Sequence, residues 1–211
     1  MGKKFIKMKI ALRISFVFTA FLMTSTTIAN AQFRYGGMIG GNISTFVGKE
    51  QSLLEDSTYN YSDKWGVHIG MNTEIVLSDK FCVAPAVVLS TKGTTDAHDK
   101  EIGLSLNYLE VPVLFQYQVL KGFSLAAGPY GGYLIGAKTH DHNIDKKITK
   151  DTQRFDSGLY FKGIYRMSNG FGFHAYYSKG FIDVHYPEGY DGPDRFNAVG
   201  GFGVSYLLVM K

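Results

Sequence analysis

The side chains that could do chemistry in this chain are few, and most are poorly grouped for it. His140-Asp141-His142 puts two imidazoles and a carboxylate within three residues, and His98 with Asp96 and Asp99 forms a second cluster. A His-x-His pair leaves a closed metal site short of ligands at fixed spacing, so no metal is expected. His174 and Ser178 share one face of a strand, but four residues of strand separate them by roughly 13 Å. That is beyond the hydrogen bond that activates a nucleophile. Neither catalytic residues nor a cofactor is expected. The remaining candidates are charges: Arg34, Glu74, Glu110, Lys162 and Arg166, with Asp156 near a rim. Each falls on the less apolar face of an alternating segment. An ionised group inside a narrow fold costs several kcal/mol unless it is paired. These residues are therefore expected to form a polar network that fills the interior, with Glu110 paired to Lys162 or Arg34. The functional alternative is a gate or small-ion path.

The elements that would position them are strands. Eight segments alternate apolar residues with small or polar ones, the period-two signature of β structure. They run at about 33–43, 66–76, 81–90, 107–119, 123–137, 156–166, 171–178 and 201–208. In the clearest, Phe171, Phe173, Ala175 and Tyr177 oppose Gly172, His174, Tyr176 and Ser178. Connections alternate between short (77–80, 119–122, 167–170) and long (44–65, 93–106, 139–154, 182–195). Short turns at one end and long loops at the other describe a membrane β-barrel with periplasmic turns. Lys121-Gly122 and Asn169-Gly170 suit turns that need positive φ. Pro85 and Pro112 fall inside strands and predict a bulge or a ladder break near each.

Alternation does not say which face is buried. A soluble lipocalin-like barrel alternates too, with its apolar residues inside. Its outer face would be rich in Lys and Glu. Here the less apolar face is mostly Gly, Ser, Asn and His, which fits a narrow lumen, and the large residues opposite fit a lipid-facing wall. Tyr59, Tyr61, Trp65, Tyr186 and Tyr190 in the long connections suit an interfacial girdle or a partner surface.

The first 31 residues read as a cleavable signal peptide. Lys3, Lys4, Lys7, Lys9 and Arg13 precede an apolar run from Ile14 to Met23, and Ala29-Asn30-Ala31 supplies the cleavage site. The run is short of the roughly 20 apolar residues of a membrane helix. No cysteine follows the site directly, which excludes lipoprotein processing. The whole chain has 22 basic and 18 acidic residues. Five of the basic ones lie in the leader, so residues 32–211 carry 17 against 18, a net charge of −1. The basic balance belongs to targeting, and no nucleic-acid partner is expected. Cys82 is the single cysteine, so no internal disulfide staples the fold.

Asn107-Tyr108-Leu109-Glu110-Val111-Pro112-Val113-Leu114-Phe115-Gln116-Tyr117 and Gly128-Pro129-Tyr130-Gly131-Gly132-Tyr133-Leu134 resemble consecutive strands of the PorT-like outer-membrane β-barrel family of Bacteroidetes. Gly36 to Ser44 resembles its first strand, and Phe155 to Leu159 the segment that leads into its sixth. The resemblance implies an eight-stranded barrel in a Gram-negative outer membrane and no single activity. Some relatives serve a protein-secretion apparatus. Barrels of this kind commonly end on an aromatic residue read by the insertion machinery, and Lys211 departs from that pattern.

The expectation is an all-β protein: an eight-stranded antiparallel up-and-down transmembrane barrel over residues 32–211, after the signal peptide. Its role would be structural or binding, with four loops displayed outside. The alternatives are a secretion accessory factor, a narrow channel and a soluble ligand-binding barrel. Its expected partners are outer-membrane lipid, the barrel-insertion machinery during assembly, and an unidentified extracellular or secretion partner.

Overall fold

The computed structural model describes residues 32–48, 61–142, 144–150, 152–184 and 195–209. The proposed signal peptide, Tyr59, Tyr186, Tyr190 and Lys211 lie outside them. All regular structure among the described residues is β. The strands are β1 (Gln32–Val47), β2 (Tyr61–Ser62), β3 (Lys64–Val76), β4 (Phe81–Asp96), β5 (Ile102–Leu120), β6 (Phe123–Asp141), β7 (Ile144–Lys147), β8 (Phe155–Arg166), β9 (Phe171–Gly180) and β10 (Phe196–Val209). There are thus ten strands among the described residues where eight were expected. Eight have ten or more residues, and the extra two, β2 and β7, have two and four. They are short hairpin extensions built in segments read from the sequence as loops.

The strands form one sheet ordered β2-β4-β3-β1-β10-β9-β8-β6-β5, with β7 on β6 and a further pairing of β4 with β5. The registers determined for these pairings are antiparallel, including that of β1 with β10. The turns at 77–80 and 167–170 fall where the sequence puts them, and the one expected at 119–122 narrows to 121–122 because β5 runs on to Leu120. Gly122 and Gly170 have φ of +82° and +88°, the left-handed backbone these tight turns demand. Opposite Pro85 the β3–β4 register lapses between Asn72 and Ile75 and resumes unshifted. Between Pro85 and Val88 the β4–β5 register lapses opposite Pro112 in the same way. A proline lacks the donor that the ladder needs, and the result is a break rather than a bulge. The one mid-strand register shift of β5 against β6 lies elsewhere, at Asn107/Tyr108.

Burial alternates along the strands, and its sense is inverted relative to a water-soluble protein. Met71 is 68% exposed and Phe115 66%, while the neighbouring inward positions include Glu74 at 2% and Lys92 at 1%. Val67, Ile69, Phe161, Phe173, Tyr177 and Phe202 are all exposed. Such a continuous apolar outer face far exceeds what a soluble protein shows to water, which removes the soluble-barrel alternative. The buried face is mixed. Phe46, Leu104, Leu106, Tyr108, Leu134, Ala137, Ile148 and Val184 cluster at the end bearing the long connections. A second cluster around Leu114, Tyr130, Tyr160, Ile164 and Tyr176 lies toward the short turns.

Candidate functional site

The buried polar residues form a column in three groups. At the short-turn end, Arg166 holds Glu74 through two parallel bonds, Nη1 to Oε2 at 2.9 Å and Nη2 to Oε1 at 2.8 Å. Arg34 adds a looser contact to the same carboxylate at 3.8 Å. The planar guanidinium matches both carboxylate oxygens at once, which an ammonium cannot do. Arg166→Lys is therefore expected to lose about 1.5–3 kcal/mol despite its conserved charge, read from the urea midpoint of the protein refolded in micelles.

Above this group, a cavity of about 20 Å³ lies among Asn72, Gln116, Arg166 and Lys162, room for about one water. Lys162 has no carboxylate partner among the described residues, and its Nζ approaches Met38 Sδ at 3.4 Å. Next comes an imidazole pair, His68 Nε2 to His174 Nε2 at 2.9 Å. The pair rests on bare backbone where Gly40 faces Gly203 across β1 and β10. Tyr176 packs edge-on against His68 and stacks on Tyr160.

The third group centres on Lys92. Its ammonium lies 2.5 Å from Glu110 Oε1 and donates to Asp156 Oδ2 at 3.2 Å. Tyr130 Oη and Asn197 Nδ2 each donate to that same Asp156 oxygen at 3.0 Å. The rings of Tyr130 and Tyr108 lie 4.8 Å and 5.1 Å from Lys92 Nζ, so the cation meets two carboxylates and two π faces.

Glu110 therefore pairs with Lys92, not with Lys162 or Arg34 as expected. Lys92 lies on β4 directly beside Glu110's strand, whereas Lys162 lies on β8 nearer the short turns, level with Ala126 and Gln116 rather than with Glu110. Asp156 is fully buried rather than at a rim. Of the five expected network residues, Arg34, Glu74 and Arg166 meet, while Glu110 and Lys162 each stand in separate groups. Sequence reasoning missed Lys92, although it continues the inward phase of Cys82, Ala84, Ala86, Val88 and Ser90. It also missed the His68–His174 contact, because a cross-strand meeting of distant strands leaves no local signal. His174 turns to His68, and no hydrogen bond joins it to Ser178 among the described residues.

The outward histidines are also placed. His140 Nδ1 lies 2.6 Å from Asp145 Oδ1, and its Nε2 lies 3.0 Å from Ser105 Oγ. The order resembles a nucleophile, base and orienting acid. Ser105, however, lies mid-ladder, with its strand paired to both β4 and β6. Its neighbours' backbone N–H groups are thus taken, and none is left to stabilise an oxyanion. His142, at φ +51°, closes the β6–β7 turn and touches Asp141 Oδ1 at 3.1 Å and Asp99 Oδ2 at 3.3 Å. The Asp141 hydrogen bond, then the Asp99 charge, hold its pKa above the ordinary histidine value. A raised pKa stabilises the charged form, so this clasp is complete at low pH and is lost as pH rises through the raised value. An NMR titration of His142 is expected to show that elevation, and Asp141→Asn to reduce it. An unchanged titration in that variant would refute the clasp.

The sequence matches the model of the outer membrane protein beta-barrel domain family over residues 25–186. The chain belongs to that family. A search of curated proteins by sequence found no match. Among solved structures, Neisserial surface protein A aligns with a TM-score of 0.56 at 10% identity, covering 82% of this chain and 96% of that one. The attachment invasion locus protein Ail of Yersinia pestis aligns at 0.48 and 14%, covering 84% and 99%. OprG of Pseudomonas aeruginosa aligns at 0.42 and 13%, covering 85% and 97%. At these identities the surface-protein likeness speaks to fold alone. As a member of this family the protein resides in the outer membrane.

Proposed function

We propose that residues 32–211 form an eight-stranded transmembrane barrel closed on itself, with a filled interior. Its role is structural or binding, and it displays its long connections outside the cell. The observation that carries this reading is the inversion of burial, with ion pairs inside and large apolar side chains outside. The return of the pairing from β10 to β1 and from β4 to β5 supports closure. Ion pairs and an apolar cluster occupy the described interior, and the cavity among Asn72, Gln116, Lys162 and Arg166 has room for about one water, which weighs against a transport channel. The strand segments around Glu110 and Tyr130 support placement within the PorT-like branch, and a secretion accessory role is the second reading.

The test is fractionation of the expressing cell, gel migration with and without boiling, and planar-bilayer recording. Outer-membrane enrichment, heat-modifiable migration and absence of steady conductance are expected. Steady conductance would overturn the filled interior, and migration indifferent to heat would overturn the closed barrel. Sequencing of the mature N-terminus is expected to begin at Gln32. Loss of secretion in a deletion strain would favour the second reading.

A further inference from the structure

Lys138 and Lys147 face each other directly across the β6–β7 ladder, both exposed. Like charges in this position repel and destabilise a sheet. Neither has a carboxylate at ion-pair distance among the described residues. Asp145 is already engaged by His140, and Asp141 and Asp99 by His142. Just below, Arg154 Nη1 donates to Tyr133 Oη at 3.3 Å, and it too has no carboxylate partner among the described residues. Tyr133 lies opposite Phe155, and both are exposed on the apolar outer face with Leu109 beside them. Three basic groups with no carboxylate at ion-pair distance among the described residues therefore stand on one face, immediately above the aromatic edge of the apolar belt. That height is the headgroup layer of a bilayer.

We propose that this face binds the phosphorylated headgroup of an outer-leaflet lipid. One phosphate is shared by Lys138 and Lys147, and Arg154 holds the same headgroup at the level of Tyr133. Side chains directly opposite in a ladder start about 4.5–5.5 Å apart, so two flexible ammonium groups reach one phosphate together. The anion removes the repulsion that the sheet otherwise carries. The lipid's chains would lie on the exposed wall below, which anchors the headgroup where a free phosphate would exchange into water. This inference rests on the reading that the long connections face outward.

The test uses the refolded full-length mature chain in phosphatidylcholine nanodiscs doped with diphosphoryl lipid A, with retained lipid measured by mass spectrometry after purification. Lys138→Gln/Lys147→Gln is expected to lower retention about tenfold, and Arg154→Gln to lower it further. Lys80→Gln/Lys121→Gln, at the opposite end, is the control and is expected to leave retention unchanged. Equal retention in the first variant and the control overturns the proposal. So does equal retention of dephosphorylated lipid A. A third arm protects lysines from acetylation in lipid-free micelles with inorganic phosphate. Protection of Lys138 and Lys147 there equal to that by lipid A would make the site one for free phosphate and overturn the lipid assignment. Heat-modifiable migration is followed in every sample. Its loss marks failure of the barrel reading, whereas an intact barrel without lipid selectivity sinks this inference alone.

Discussion

Lys92→Met is expected to destabilise the folded protein by about 3–5 kcal/mol, the cost of breaking a buried ion pair from one side. The ammonium is the only cation in contact with Glu110 and Asp156 among the described residues, and it also sits between the rings of Tyr108 and Tyr130. Methionine keeps much of the volume but leaves two carboxylates facing each other without a counter-ion. Tyr130 and Asn197 still donate to Asp156, which offsets part of the loss for that group, but among the described residues Glu110 has no second ion-pair or hydrogen-bond partner. The triple variant Lys92→Met/Glu110→Gln/Asp156→Asn should recover most of the stability, because a neutral set of similar volume removes the unpaired charge. Urea unfolding in micelles, followed by tyrosine fluorescence and by the heat-modifiable band, reads both. An unchanged midpoint for the single variant, or no recovery in the triple one, would show that the Lys92 group does not hold the interior together.

Gly203→Val is the second large effect. A Cβ at Gly203 would stand 2.3 Å from the Ile39 carbonyl oxygen, 2.8 Å from Gly40 Cα and 3.0 Å from His174 Cε1. At Gly40 it would meet the Phe202 oxygen at 2.1 Å and His68 Cε1 at 2.5 Å. The imidazole pair thus lies on a patch of backbone that has no room for side chains. Overpacking costs about 1–3 kcal/mol in a core that can adjust, and occasionally more. Here backbone and two rings must move together, so the upper end of that range is expected, seen as loss of the heat-modifiable band. Gly131→Ala and Gly163→Ala are the contrast. An added Cβ there meets nothing within 4 Å, and the chain gains by about 0.5–1 kcal/mol through reduced backbone freedom. Equal behaviour of Gly203→Val and Gly163→Ala would refute the close-approach argument.

The strand ends show how far the sequence could be read. At the short-turn end the expected limits at Val76, Phe81, Phe123, Arg166 and Phe171 are the observed ones. Turn chemistry there is local: Asn169-Gly170 and Lys121-Gly122 carry the positive φ in their own residues. At the opposite end the strands run further than expected, β4 to Asp96, β5 back to Ile102 and β6 to Asp141. Beyond the apolar belt the outward residues become Thr91, Ser105 and Lys138, so the alternation loses its contrast although the ladder continues. The same loss of contrast hid β2, β7 and the inward phase of Lys92.

By itself, then, the sequence determined the class of the fold and which face would meet lipid. Period-two alternation and the small, weakly charged character of one face are carried by neighbours along the chain. The partners of the buried charges were decided only by the tertiary structure. Glu110 reaches Lys92 through the β4–β5 register, and His68 meets His174 from strands 106 positions apart in the chain. Which buried charges meet depends on the stagger of the strands. That is a property of all the ladders together, set by long-range pairing that no local pattern encodes.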